Sequence, residues 1–398
     1  MTSLLGCNKK SSVQIINNNT DKLNIIPKQT EIYKFSYPML FNFNSIDTIA
    51  EYNSQYKKSK VTTLYNSIPW PATKIFDEYM CLMRGGQNPL IKDFSVFAKY
   101  ATHAQNLGFK ICYLLNSPKP FNEDDFNSFK PEFYKLLDNL QKINIRQIKV
   151  ANPQTATLIN EYNEKLNLNK DEEFKLSMST ILEYHIISQY KNFIENYPNT
   201  NHIGIAKDEN QNFPLLINLK KLYPSHEIEM MIDEGCEKYC AYRYSCMSCS
   251  STGKYKIGCQ NSKKHPIISW FKNGVIKPWQ LGYYSVIGIN YFKMVPKMQR
   301  AYDTDVSGIE NYFNIIEFGV ENLSIDEFIK YGILPNKFPT ENYPKSLTVK
   351  ELLSYYPDPE YFIKHNPDCN TMCGTECRYC YEKAEKYKNF LKTIGVEV

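Results

Sequence analysis

Short apolar runs rich in β-branched and aromatic residues recur along the chain, and longer stretches with helical spacing of apolar residues lie between them. The short runs predict eight strands, at 31–41, 60–65, 109–115, 145–151, 174–179, 202–207, 226–233 and 289–295. The helical spacing predicts helices at 46–56, 94–108, 133–143, 156–166, 181–197, 213–223 and 278–288. Strands that alternate with helices form parallel sheets through right-handed crossovers. The pattern therefore predicts an α/β fold, a (β/α)8 TIM-type barrel, with a doubly wound open sheet as the alternative.

The segments outside this pattern predict additions to the barrel. Residues 1–30 are rich in Asn and Lys without a clear period, which predicts a loose N-terminal arm. We expect the barrel to occupy 31–320 and a small helical extension with a cysteine-rich tail to occupy 321–398. No apolar run approaches the roughly 20 residues of a membrane span, and no secretion signal is seen. These features predict a cytoplasmic protein that does not enter a membrane.

The charge pattern bears on the class of partner. The net charge of +5 comes from 47 basic and 42 acidic residues that are scattered along the chain. Proteins that bind nucleic acids usually concentrate basic residues in a patch. We therefore expect a peptide or a small molecule as substrate and no nucleic acid.

Asparagine residues mark the ends of the early predicted strands. Asn42 with Asn44, Asn66, Asn116 and Asn152 follow four strands in succession. Asparagine tolerates turns and caps the following helix, which is one explanation. The other is a polar ring around the barrel mouth, where such enzymes keep their chemistry. On this second interpretation, Asn42 and Asn116 help to orient a substrate.

Nine of the twelve cysteines fall into two clusters. One contains Cys236, Cys240, Cys246, Cys249 and Cys259, in a loop predicted at 236–277 after the seventh strand. The other contains Cys369, Cys373, Cys377 and Cys380. In a reducing compartment, clustered thiols bind metals more often than they form disulfides. The first cluster also lies at the end of the barrel where active sites form.

The spacing of these thiols leaves several metal centres open. Four thiolates hold either Zn²⁺ or an iron-sulfur cluster. We expect one or two [4Fe–4S] clusters, with zinc as the alternative and uncomplexed core cysteines as a third reading. The metal ligands would come from Cys236, Cys240, Cys246, Cys249, Cys369, Cys373, Cys377 and Cys380.

The tail also matches the C-x3-C-x2-C spacing of radical S-adenosylmethionine enzymes, through Cys373, Cys377 and Cys380. In those enzymes the motif follows the first barrel strand, whereas here the predicted barrel precedes it. Cys369 adds a fourth thiol, while radical chemistry needs an open iron site. The context therefore argues against radical chemistry and favours a fully ligated cluster.

Several segments together resemble the collagenase-like peptidase family U-32, especially an outlying branch with a cysteine tail. They read YPMLFNFN, TTLYNS, FKICYLLNSP, IKVANP, LSMST, IDEGCEKYCAYR and YFKMVPKMQR in chain order. The resemblance implies that Cys236 and Cys240 are cluster ligands and that Glu234 is the glutamate preceding them. Arg243 and Lys293, which lie in the last two segments, become candidate catalytic residues beside Glu234.

Members of that family include oxygen-independent hydroxylases that carry a [4Fe–4S] cluster. The resemblance implies a redox or hydroxylation-type reaction on a peptide or small molecule, with a partner protein or electron donor among the options. The first alternative is a peptidase or other hydrolase whose thiols bind structural zinc. The second is a non-catalytic protein that binds a peptide or assists maturation of a partner.

Overall fold

The computed structural model describes residues 32–68, 93–118, 122–234, 236–243, 266–295, 306–330, 344, 346–369 and 372–395. The predicted N-terminal arm lies outside these residues. So do Cys246 and Cys249, together with most of the loop predicted after the seventh strand. The statements that follow concern the described residues.

Eight parallel strands close into a barrel in the order in which they occur in the chain. They are β1 (Tyr33–Pro38), β2 (Ser59–Asn66), β3 (Lys110–Leu115), β4 (Gln147–Val150), β5 (Lys175–Met178), β6 (Thr200–Gly204), β7 (Glu227–Met231) and β8 (Tyr291–Lys293). β8 pairs with β1 through Lys34 and Tyr291, which closes the sheet. The predicted (β/α)8 barrel is therefore confirmed.

Helices follow the strands around the barrel. The first six are α1 (Phe43–Gln55), α2 (Phe94–Asn106), α3 (Glu123–Lys142), α4 (Pro153–Lys165), α5 (Ile187–Asn196) and α6 (Phe213–Leu222). α7 (Pro266–Phe271) and α8 (Leu281–Val286) follow β7, and α9 (Ser307–Phe318) follows β8. The C-terminal extension contains α10 (Ile325–Lys330), α11 (Val349–Leu353), α12 (Pro359–His365) and α13 (Tyr379–Thr393).

The helix predicted at 181–197 is wrong at residues 181–186. Thr180–Leu182 form a single 3-10 turn, and Glu183 then adopts a left-handed backbone with φ of 50°. The helix begins only at Ile187. Just before it, the backbone N–H groups of His185 and Ile186 donate to the side chain of Gln189. The prediction failed because apolar residues keep helical spacing through residues 181–186, whereas the backbone there is not α-helical. This break places Glu183 and His185 at the barrel mouth.

The apolar core forms a ring between the sheet and the helices. Phe35 of β1 packs against Phe292 of β8 and Phe313 of α9, with ring centroids 5.9 Å and 5.3 Å apart. Residues that alternate along each strand point to opposite faces of the sheet. In β1, Phe35 therefore faces the helices, whereas Ser36 faces the barrel axis.

The C-terminal extension packs against the helices that follow β7. Phe271 at the end of α7 contacts Tyr387 of α13, with ring centroids 5.7 Å apart. Tyr356, between α11 and α12, lies 6.2 Å from Phe271 by the same measure. These contacts bring the cysteine-rich tail back to the barrel. Among the described helices, none is both long and apolar enough to cross a membrane.

Candidate active site at the barrel mouth

Charged side chains gather where β5, β6 and β7 end. We call them the mouth cluster: Glu183, His185, Lys207, Asp208, Glu209 and Arg243. They come from three separate loops, and the short 3-10 helix Lys207–Gln211 supplies three of them. The carboxyl ends of the strands are the face on which (β/α)8 barrels place their active sites. Buried charges at this face mark a candidate active site.

A buried ion pair lies at the centre of the mouth cluster. Arg243 Nη2 lies 2.6 Å from Asp208 Oδ1, and the two side chains are only 4% and 5% exposed. Burial by itself would lower the pKa of Arg243, but Asp208, Cys236 and Glu183 together outweigh it and raise the pKa. Arg243 also donates to the backbone carbonyl of Glu237. The guanidinium is therefore held charged and fixed in place.

The carboxyl group of Glu183 has a raised pKa. Burial raises the pKa of Glu183 to about 7, although the nearby Arg243 opposes the shift. The Oε1 atom is buried and accepts no hydrogen bond from the described residues. A carboxyl group that titrates near neutral pH can both accept and return a proton in catalysis.

Glu209 connects the mouth to the loop after β7. Its carboxylate accepts hydrogen bonds from Asn212 at 2.7 Å and from the Tyr239 hydroxyl at 3.2 Å, and it lies 2.8 Å from His185 Nδ1. The hydrogen bond to Glu209 raises the pKa of His185. Tyr239 itself has a left-handed backbone, with φ of 50°. The β7 loop is thus tied to residues that follow β5 and β6.

A second buried ion pair, with polar neighbours, lies inside the barrel below the mouth. Lys149 of β4 pairs with Glu229 of β7, and each side chain is 2% exposed. Burial would raise the pKa of Glu229, but Lys149 and Lys293 outweigh it, so that the pKa lies below its usual value. Ser36 donates to the same carboxylate at 3.1 Å.

A small cavity adjoins this ion pair. It leaves about 10 Å³ for the centre of a water molecule, which is room for about one water. Its lining residues are Ser36, Thr63, Tyr65, Cys112, Gln147, Lys149, Ser177, His202, Glu229 and Tyr291. A substrate would find no space there, so the mouth is the better candidate site.

The structure places the predicted catalytic residues in different settings. Arg243 joins the mouth cluster, and Glu234 is buried at the end of β7. Lys293 lies inside the barrel, where its Nζ is 4.3 Å from the centre of the Tyr65 ring. Asn116 is buried after β3. The structure therefore brings only Arg243 into the mouth cluster.

The other strand-end asparagines have structural partners. Asn42 accepts a hydrogen bond from the Ser45 N–H and caps α1, and Asn152 caps α4 in the same way. Asn66 donates to the Met39 carbonyl at 2.6 Å. Helix capping thus accounts for Asn42 and Asn152 at these positions.

The four tail cysteines carry free thiols, and the last of them, Cys380, lies in the first turn of α13. The backbone of residues 372–377 folds back on itself, because Cys377 donates to the Met372 carbonyl at 2.8 Å and Gly374 donates to the Cys377 carbonyl at 2.9 Å. Burial raises the pKa of Cys380 to about 12, with Cys369, Cys373 and Cys377 adding to the shift and Lys238 opposing it. The thiols are close enough to influence one another electrostatically.

The tail meets the β7 loop beside the mouth. Lys272 lies 2.7 Å from Glu237 of that loop and 3.3 Å from the Tyr381 hydroxyl of α13. Burial raises the pKa of Tyr239, and the nearby Glu209 and Cys369 add to the shift. Tyr239 therefore lies between the mouth cluster and the tail thiols.

Two cysteines of the first cluster lie in the same loop. Cys236 and Cys240 are half-buried, and the Cys236 carbonyl accepts a hydrogen bond from Lys207. Cys236 also lies near enough to Arg243 to contribute to its raised pKa. Within the described ranges, no group of three or more His, Cys, Asp or Glu side chains is arranged to hold a metal ion.

Sequence reasoning missed most of the mouth cluster. A signal existed at the sixth strand, where HIGIA is followed directly by the charged run KDE at 207–209. Glu183 and His185 were hidden within a predicted helix. Lys149 and Glu229 gave no signal, because charged residues that alternate with apolar ones are typical of a solvent-exposed strand face.

Comparisons with known proteins find matches among solved structures. No family profile and no curated protein sequence matches this chain. Among solved structures, a U32 peptidase is similar over 68% of this chain and 95% of its own, with 11% identity and a TM-score of 0.44. An N-acetylneuraminate lyase from Fusobacterium nucleatum is similar over 90% of this chain and 96% of its own, with 14% identity and a TM-score of 0.36. An endoglucanase from an uncultured bacterium is similar over 71% of this chain and 86% of its own, with 7% identity and a TM-score of 0.39.

Proposed function

We propose that this protein is a redox enzyme whose active site is the mouth cluster, with a cysteine-bound metal centre formed by the neighbouring tail. The observation that carries the proposal is the position of the β7 loop. Its Tyr239 contacts Glu209 of the mouth cluster, and its Lys272, paired with Glu237, donates to the Tyr381 hydroxyl of the tail. Acid-base groups and thiols thus lie on two sides of one loop.

The side chains of the mouth cluster would carry the proton transfers. Glu183 has a pKa of about 7, which suits a group that accepts a proton in one step and returns it in another. His185, held by Glu209, is positioned to exchange protons with solvent because its side chain is 38% exposed. Arg243, fixed by Asp208, would hold a polar group of the substrate.

The tail thiols fit a metal centre in their chemistry. Cys369, Cys373, Cys377 and Cys380 are free thiols that influence one another electrostatically, and four thiolates are a complete ligand set for [4Fe–4S] or for zinc. Buried thiols with raised pKa values lose their protons when a metal binds. A bound iron-sulfur cluster would supply electron transfer, as a hydroxylation-type reaction on a peptide or small molecule requires.

Metal analysis of protein purified without oxygen tests this proposal. We expect about four iron and four sulfide per cluster and a visible spectrum that dithionite bleaches. Cys380→Ser should lose this iron, whereas Cys112→Ser, a matched change of a buried cysteine inside the barrel, should retain it. A colourless protein with stoichiometric zinc would contradict the redox reaction.

A Cys236→Ser variant separates one shared site from two. If Cys236→Ser and Cys380→Ser each lose all the iron, the two groups share one cluster. If each keeps about four irons, the chain carries two clusters. Either result supports a metal centre, and only wild-type protein that contains neither iron nor zinc would rule it out.

A hydrolase is the second candidate, and Glu183 is the observation that favours it. A carboxyl group with a pKa of about 7 beside His185 can activate water for hydrolysis. We would then expect cleavage of a peptide library by the wild type and by Cys380→Ser, but not by Glu183→Gln. Cleavage that is lost in Cys380→Ser would instead tie the activity to the metal centre.

A further inference from the structure

Three groups of the mouth cluster have buried atoms that make no hydrogen bond to the described residues. One is Asp208 Oδ1, whose contact is the ion pair with Arg243. The side chain of Arg243 is 4% exposed, yet its Nε and Nη1 donate no hydrogen bond to any described residue. Glu183 Oε1 is likewise buried and accepts none there. Such atoms are rare in folded proteins, because burial also removes their hydrogen bonds to water. Their presence at a barrel mouth indicates a site that a ligand completes.

Glu183 and Arg243 are near each other but not in contact. Each lies within electrostatic range of the other. No ion pair or hydrogen bond joins them, since the partner of the guanidinium is Asp208. A bridging ligand would have to accept hydrogen bonds from Arg243 and donate one to Glu183.

The charges of the cluster favour a neutral ligand. Glu183, Asp208 and Glu209 are acidic, and they balance the basic groups, which are His185, Lys207 and Arg243. An anion placed on Arg243 would meet the carboxylates of Asp208 and Glu183. A cation placed on Glu183 would meet the guanidinium. A neutral group that carries an acceptor beside a donor avoids both repulsions.

We propose that Glu183 and Arg243 bind the amide or lactam group of a neutral ligand at the barrel mouth. The carbonyl oxygen accepts from Arg243 Nε or Nη1, and the amide N–H donates to Glu183 Oε1. As the substrate class of the mouth cluster, this inference rests on the proposed function. The binding itself needs neither turnover nor metal.

Ligand-observed NMR titration of the full chain tests the proposal with three small ring compounds. 2-Pyrrolidone carries both the carbonyl and the N–H, N-methyl-2-pyrrolidone lacks the N–H, and cyclopentanecarboxylate is an anion of similar size. We expect 2-pyrrolidone to bind at least about tenfold more tightly than the methylated compound, because the latter leaves the buried Glu183 Oε1 acceptor unpaired. The carboxylate should not bind. Equal binding of the two lactams, tighter binding of the carboxylate or no binding by 2-pyrrolidone would overturn the proposal.

Variants locate the binding. Glu183→Met and Arg243→Lys should each weaken 2-pyrrolidone binding by about tenfold or more, whereas Glu195→Met on the exposed side of α5 should leave it unchanged. Arg243 is buried, so its variant is checked by circular dichroism; if it does not fold, Glu183→Met decides. Unchanged binding in Glu183→Met would refute the site. Metal content is measured separately, so a failure of this test and a failure of the redox proposal are distinguishable.

Discussion

Glu183→Gln should remove a pH dependence of stability that the mouth cluster creates. The pKa of Glu183 rises from 4.5 to about 7 on folding. The folded state therefore binds this proton more tightly, so the contribution of Glu183 is largest below pH 4.5 and is lost as the pH rises towards 7. One pKa unit corresponds to about 1.4 kcal/mol, so the full change is about 3 kcal/mol. This is an upper value, because the side chain is 20% exposed.

Urea unfolding between about pH 5 and pH 8 measures this effect. We expect the free energy of unfolding of Glu183→Gln, relative to the wild type, to increase across this range by up to about 3 kcal/mol. His185 titrates nearby, so the comparison is repeated in a His185→Asn background. The exposed control Glu195→Gln should change stability by no more than about 0.5 kcal/mol at any pH. Parallel pH profiles for the wild type and Glu183→Gln would refute the reasoning.

Two further predictions concern the barrel itself. Lys149→Met should lower the free energy of unfolding by about 3–5 kcal/mol, because it leaves the buried Glu229 carboxylate without its cation. The double variant with Glu229→Leu should recover most of the loss, and a double variant as unstable as the single one would contradict this account. Gly204→Ala should lower Tm, because the added Cβ would lie 2.2 Å from the Met178 carbonyl oxygen. Gly308→Ala, where the space is open, should not lower Tm. If calorimetry gave both variants the same Tm, the contact between the Cβ added at Gly204 and the Met178 carbonyl would not destabilise the fold.

The fold could be predicted from the sequence because each strand and most helices keep their own apolar period. The candidate site could not, because its residues come from three loops and gain meaning only through contacts across the chain. Glu183 lies where the backbone leaves a helical pattern that its neighbours continue. Lys149 and Glu229 are 80 residues apart in the chain and belong to strands that do not pair with each other. Arg243 was found only through the resemblance of the segment that contains it.

The ring-shaped apolar core has a consequence for how water enters this barrel. Most large apolar side chains lie between sheet and helices, whereas the cavity on the axis is lined by hydroxyl, thiol, amide and charged groups together with the rings of Tyr65 and Tyr291. A water molecule on the axis would supply a hydrogen bond to groups such as the Ser177 hydroxyl, which has no partner among the described residues. Under hydrostatic pressure, which favours the filling of internal voids, we expect the axis to hydrate while the helices remain packed on the sheet.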